Sequence, residues 1–127
     1  CLTEIPGSSS VIEGGFVTYS NQAKISMLSV KLEQLDQYGA VSEEVARSMA
    51  EGALRRSKAD IAIACTGVAG PGGATNTKPI GLVHLACASK THPPTHKQCN
   101  FSGDRSEIRM ATVNAAFGLI EAQLNII

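Results

Sequence analysis

The chain has no excess charge of either sign, with 11 Lys and Arg against 11 Asp and Glu, and no basic block. That excludes nucleic acid held by a charged face, and an anionic membrane, from the expected partners. No uninterrupted apolar run approaches the roughly 20 residues of a membrane span, and nothing resembles a signal peptide. The 4 cysteines, Cys1, Cys65, Cys87 and Cys99, form no Cys-x-x-Cys pair, and the 3 histidines, His84, His92 and His96, lack helical metal-ligand spacing. Small buried thiols in a reducing cytosol are expected, with His84 on a core or sheet face, so the chain reads as a soluble cytoplasmic domain. No Gly-Lys-Ser/Thr follows the glycines, which removes a kinase-type phosphate loop. At 127 residues one domain is expected over 1–127, large enough to need neither disulfide nor metal. No metal and no cofactor are called for.

What the chain does have is glycine placed where it can build a site. Ala64-Cys65-Thr66-Gly67-Val68-Ala69-Gly70-Pro71-Gly72-Gly73 follows the apolar run Ile61-Ala62-Ile63-Ala64 and continues through Lys78-Pro79-Ile80-Gly81 into Leu82-Val83-His84-Leu85-Ala86. Glycine tolerates the dihedrals that turn backbone N–H groups toward an anion or a carbonyl oxygen, and it permits close approach. A loop that leaves one buried strand and enters another is therefore a candidate wall for a ligand.

Local signals order the rest. Pro6-Gly7-Ser8-Ser9-Ser10 is a turn. Gly14 to Ser20 suits a strand, and Asn21 is the expected cap of a helix over Gln22 to Leu28. Leu32 and Leu35 share a face of a short helical segment closed by Gly39. Ser42 caps the next helix, with Glu43 and Glu44 in its first turn, Arg55, Arg56 and Lys58 in its last, and Val45, Met49 and Ala53 along one stripe. Strands are expected at Ile61 to Cys65 and Gly81 to Ala88, with Thr95 to Phe101 returning antiparallel after Pro93-Pro94. Asp104 and Glu107 make a capping box for a last helix, whose apolar residues from Ile108 to Leu124 are broad enough to pack on a sheet. The fold class read from this pattern is α/β, a three-layer α/β/α sandwich with a mixed central sheet. Cys1 to Pro6 reads as the end of a helix that begins earlier, so the sequence reads as a fragment.

The succession Pro6-Gly7-Ser8-Ser9, Gly15-Phe16-Val17-Thr18-Tyr19-Ser20-Asn21-Gln22-Ala23-Lys24, Tyr38-Gly39-Ala40-Val41-Ser42-Glu43-Glu44-Val45, Thr66 to Gly73, Lys78-Pro79-Ile80-Gly81 and Phe101-Ser102-Gly103-Asp104-Arg105 resembles the C-terminal domain of the CinA family. The match runs in order over nearly the whole chain. Stand-alone members of that family are PncC-type nicotinamide mononucleotide deamidases, so the resemblance implies hydrolysis of the nicotinamide carboxamide to nicotinate mononucleotide and ammonia. Family members also carry a strand, an Ala-Glu-Ser-x-Thr-Gly-Gly loop and a helix before the segment equivalent to Cys1, and the sequence in hand does not include them. A missing edge strand favours self-association, which puts a homo-oligomer among the expected partners beside a small-molecule nucleotide.

Amide hydrolysis needs a nucleophile, a base, a polarising environment and a hold on the substrate. The resemblance assigns Ser9 as nucleophile and Lys24 as base, with Tyr19 in the proton-transfer network or on the substrate. Thr66, Gly67, Gly70 and Gly72 form the binding loop, and Arg105 is the phosphate fork. The residues alone leave plainer readings open: Ser9 a turn serine, Lys24 a solvated lysine, Tyr19 a half-buried strand aromatic, Arg105 an exposed ion-pair partner, and Lys78 a solvent-facing loop lysine. A non-catalytic nucleotide-binding or partner-binding module is the alternative to the enzyme.

Overall fold

A computed structural model describes residues 1–126. Two 3-10 turns, Leu2–Glu4 and Ser8–Ser10, open the chain, and Gly7 at φ 86° makes the bend between them. Helices α1 (Asn21–Leu28), α2 (Leu32–Tyr38) and α3 (Glu43–Arg55) follow, then strands β1 (Ile61–Gly67), β2 (Leu82–Ser89) and β3 (Thr95–Asn100), and helix α4 (Arg105–Ile126).

The caps explain where the helices start. Ser42 Oγ accepts from the Val45 amide at 3.3 Å, and Glu43 and Glu44 occupy the first turn of α3, as expected. At α4 the capping box closes in both directions: Asp104 Oδ1 accepts from the Glu107 amide at 2.9 Å, and Glu107 Oε1 accepts from the Asp104 amide at 3.0 Å. For α1 the cap is Ser20, whose hydroxyl accepts from the Ala23 amide at 3.0 Å, so the helix begins at Asn21 rather than being capped by it. Arg56 and Lys58 fall beyond the end of α3.

The α/β class and its three layers stand, with one correction to the sheet. β1 pairs antiparallel with β2, and β2 antiparallel with β3, in the order β1-β2-β3. The sheet is antiparallel throughout the described residues rather than mixed. The reason is that β1 and β2 pair antiparallel, while Gly14 to Ser20, read as a strand, pairs with no strand. Ile61 opposes Ser89 and Gly67 opposes Val83, while Ala86 opposes His96 and His84 opposes Gln98.

Strand alternation sends the two sets of side chains to different cores. On one face Ala64, Ala86 and Ala88 pack with Leu28, Val30, Leu35, Val45, Ala46 and Met49 from the α1 to α3 layer. On the other, Val83, Leu85 and Cys99 pack with Ile108, Ala115 and Leu119 near and along α4. Every residue of β2 is buried, as its unbroken apolarity implies. The apolar face of α4 is less uniform than its sequence suggests, since Met110, Phe117 and Leu124 are exposed. Cys87 and Cys99 are buried thiols, whereas Cys65, expected to be buried, is exposed on edge strand β1.

Candidate functional site

A cleft of about 1110 Å³ is lined by stretches distant in sequence, among them the segment from Val11 to Tyr19, Lys24 on α1, Ala40 and Val41 before α3, β1 with its following loop to Gly73, and Arg105 at the start of α4. It therefore brings together Tyr19, Lys24, Thr66, Gly67, Gly70, Gly72 and Arg105. Ser9 is not among the lining residues. It sits exposed on the second 3-10 turn.

Lys24 is the least ordinary of these groups. Its residue is 7% exposed, and Nζ donates to the Thr18 carbonyl at 2.8 Å. A lysine at a helix start usually reaches for water; this one is turned inward by the chain entering α1. Burial without a facing carboxylate pulls its pKa down, because desolvation penalises the ammonium more than the amine. Tyr19 on the same segment is 88% exposed, so it is neither a half-buried strand aromatic nor held in a network.

Thr66 is buried where β1 ends, and its hydroxyl donates to the Ala40 carbonyl at 2.8 Å. The proton is committed there, which leaves the oxygen only as an acceptor for a ligand. Beyond it the loop is drawn closed at its neck: Val68 N donates to Leu82 O at 2.9 Å and Gly81 N to Val68 O at 2.7 Å. Gly67 is required by packing, since a Cβ there would lie 2.7 Å from Val83 Cγ2 and 2.8 Å from Leu82 O. Gly70 at φ 78° is required by conformation. Arg105 is tied to this loop, with one guanidinium nitrogen donating to Gly70 O at 2.8 Å. The rest of its fork remains for an anion, but the capping box already occupies the Asp104 and Glu107 amides, so the helix terminus adds less to an anion site than its sequence position implies. Lys78 Nζ donates to Val41 O at 2.5 Å, making it a brace for the Ala40–Val41 wall rather than a free loop cation.

The chain matches the CinA C-terminal domain family over residues 1–124. The chain belongs to that family. The CinA-type domain is 50% identical to the competence/damage inducible protein CihA of Agrobacterium tumefaciens in its crystal structure, with a TM-score of 0.93, covering 95% of this chain and 74% of that one. The CinA superfamily protein of Escherichia coli is 36% identical at a TM-score of 0.88, covering 94% of this chain and 69% of that one. A CinA-like protein of Endomicrobium trichonymphae is 47% identical over 123 residues, 97% of this chain and 28% of that protein. The CinA-type domain thus spans less than a third of such curated relatives. Among the described residues no helix is long and apolar enough to cross a membrane, and no group of 3 or more His, Cys, Asp or Glu stands together as a metal site.

One cluster escapes the sequence reading. His84 Nδ1 lies 2.9 Å from His96 Nε2, and His96 Nδ1 lies 3.7 Å from Glu43 Oε1. The two histidines are 12 residues apart and meet only through the β2–β3 register, and no local spacing signals them.

Proposed function

We propose that this cleft binds nicotinamide mononucleotide and hydrolyses its carboxamide, releasing ammonia and leaving nicotinate mononucleotide. The observation that carries the reading is Lys24: a buried amine on the cleft wall, held by one neutral acceptor and destabilised as the ammonium. A lysine so placed gives up its proton more readily than a solvated one, which suits it to act as a base. In the proposed step neutral Lys24 takes the proton from the attacking hydroxyl. The oxygen adds to the carboxamide carbon, and Lys24 returns the proton to the departing nitrogen, which leaves as ammonia. Water then displaces the acyl group by the same proton route.

Ser9 is the proposed nucleophile, and its exposed turn has to deliver the hydroxyl to Lys24. Gly67 to Gly72 and the free part of the Arg105 fork are the proposed hold on the oxyanion and the phosphate, and exposed Tyr19 the proposed cover over the ring. Self-association through the edge of β1, which pairs with no other strand among the described residues, belongs to the same proposal. The test incubates the full chain with nicotinamide mononucleotide and follows ammonia. Lys24→Ala is expected to lower turnover by roughly a hundredfold or more and Ser9→Ala comparably. Binding seen by calorimetry with no ammonia from the unmutated chain would replace the enzyme by a nucleotide-binding module. Ammonia release unaffected by Ser9→Ala would remove Ser9 alone.

A further inference from the structure

The far side of the cleft wall carries a chain of titratable groups that hydrolysis does not use. Glu43 on α3, His96 on β3 and His84 on β2 stand in line, with the ring centroids of the histidines 5.1 Å apart and the planes 24° from parallel. That separation with a 2.9 Å nitrogen–nitrogen contact puts the rings nearly edge to edge, sharing a proton. Glu43 decides which ring gives it. A carboxylate facing His96 Nδ1 favours an N–H on that nitrogen, so His96 Nε2 is bare and accepts from His84 Nδ1–H. His84 is left with its Nε2 unprotonated, beside a pocket of about 400 Å³ that Lys78, Gln98 and Tyr38 also line.

The protons can then be counted. A first added proton goes to the bare nitrogen of His84 and keeps the pair intact, because an imidazolium still donates to His96. A second has only His96 Nε2 to take it, and that nitrogen is the acceptor of the bond. Two adjoining cations cannot keep it, so the His84–His96 bond breaks while His96 Nδ1–H stays with Glu43. Every charged group facing the pair belongs to this balance: Glu43, Glu44 and Arg47 from α3 and Lys78 from the glycine-loop segment. Arg47 already holds the other Glu43 oxygen at 2.8 Å, which limits how far that carboxylate can follow.

The cleft lies a few residues away in the same segment. Glu43 opens α3; Ser42 before it is buried and caps the helix; Val41 and Ala40 before that line the cleft and are pinned by Lys78 and Thr66. We propose that the Glu43–His96–His84 chain is an acid-sensitive clamp, which fixes the Ala40–Val41 wall of the cleft while it shares a proton and releases it on double protonation. The coupling is to the shape of the cleft, whatever occupies it, and so does not depend on the amidase reading.

The test is amide hydrogen exchange on the full chain at pH 7.5 and pH 5, corrected for intrinsic rates. The amides of Val45 and Ala46, bonded to Ser42, are expected to exchange at least tenfold faster at the lower pH. In His96→Gln, whose carbonyl oxygen still accepts from His84 but takes no proton, the change is expected to fall below twofold. The same acid response in His96→Gln, or none in the unmutated chain, overturns the clamp. Ring nitrogen resonances of the unmutated protein supply the check that needs no variant. A two-step coupled titration is expected, and two independent single-step curves overturn the proposal.

Discussion

Replacing Gly52 by alanine separates local propensity from packing by sign. Gly52 lies inside α3, where alanine in an open helix is better by roughly 0.5–1 kcal/mol. Here the helix is not open. A Cβ on Gly52 would overlap the carbonyl oxygen of Leu28 and lie 2.8 Å from its carbonyl carbon and 3.1 Å from its Cα. These are backbone atoms at the end of α1, so no rotamer relieves the clash, and α1 has to withdraw by about 1 Å. Withdrawal loosens Leu28 and Val30, which are 3% and 1% exposed in the core between α1 and α3. Forced shifts of this kind cost typically 1–3 kcal/mol and occasionally more, so after the propensity gain the net loss is about 2 kcal/mol. For a domain of this size that lowers Tm by roughly 5–10 °C. Thermal and urea unfolding of Gly52→Ala measure it. Because α1 also carries Lys24, the Nζ to Thr18 contact should loosen in parallel. A Gly52→Ala protein as stable as its parent, or more so, would refute the close approach of α1 to α3.

The cysteines and histidines give further outcomes. Desolvation raises Cys87 to about 11 and also raises Cys65, but Cys65 is exposed on the cleft. Alkylation mapped by mass spectrometry should therefore mark Cys65 slowly at pH 7.5 and faster above pH 9, leave Cys87 unmodified in the folded state, and be slowed at Cys65 by nicotinamide mononucleotide. Labelling at Cys65 that the nucleotide does not slow would move the ligand elsewhere. His84 and His96 both sit below their usual 6.5 in the fold through burial, with mutual repulsion adding at His84. A lowered pKa means that the unfolded chain binds the proton more readily. Their contribution is therefore complete above pH 6.5 and lost as pH falls through the lowered values. The urea midpoint should drop between pH 7 and pH 5, and His96→Gln should flatten that drop; an unchanged midpoint in the parent would contradict it.

How much of this was readable in the sequence depends on range. Ser42, Asp104 and Glu107 were legible because a cap is satisfied within three residues of itself. Strand β2 was legible because burial on both faces leaves an unbroken apolar run. Gly14 to Ser20 misled because its alternation is that of a strand, and whether a strand forms is decided by a partner that local pattern cannot supply. The mixed sheet failed with it. For the site, motif resemblance located the walls of the cleft, and the structure brings Lys24, Thr66, Gly70 and Arg105 onto it. What motif order could not say is where hydroxyl protons and ammonium groups go. Thr66 and Lys78 are spent on Ala40 and Val41, and Ser9 stands outside the cleft. The Glu43–His96–His84 line needs both a strand register and the docking of α3, and neither is written in any one stretch.

The most direct test of the central claim, that buried Lys24 is a working base, is the pH profile of ammonia release from nicotinamide mononucleotide by the full chain. With the lysine pKa held below the usual 10.5, kcat/KM should rise through a limb below that value. Lys24→Ala, confirmed as folded, should lose that limb together with activity. A folded Lys24→Ala protein that releases ammonia at the parental rate and with the parental pH profile would contradict the account.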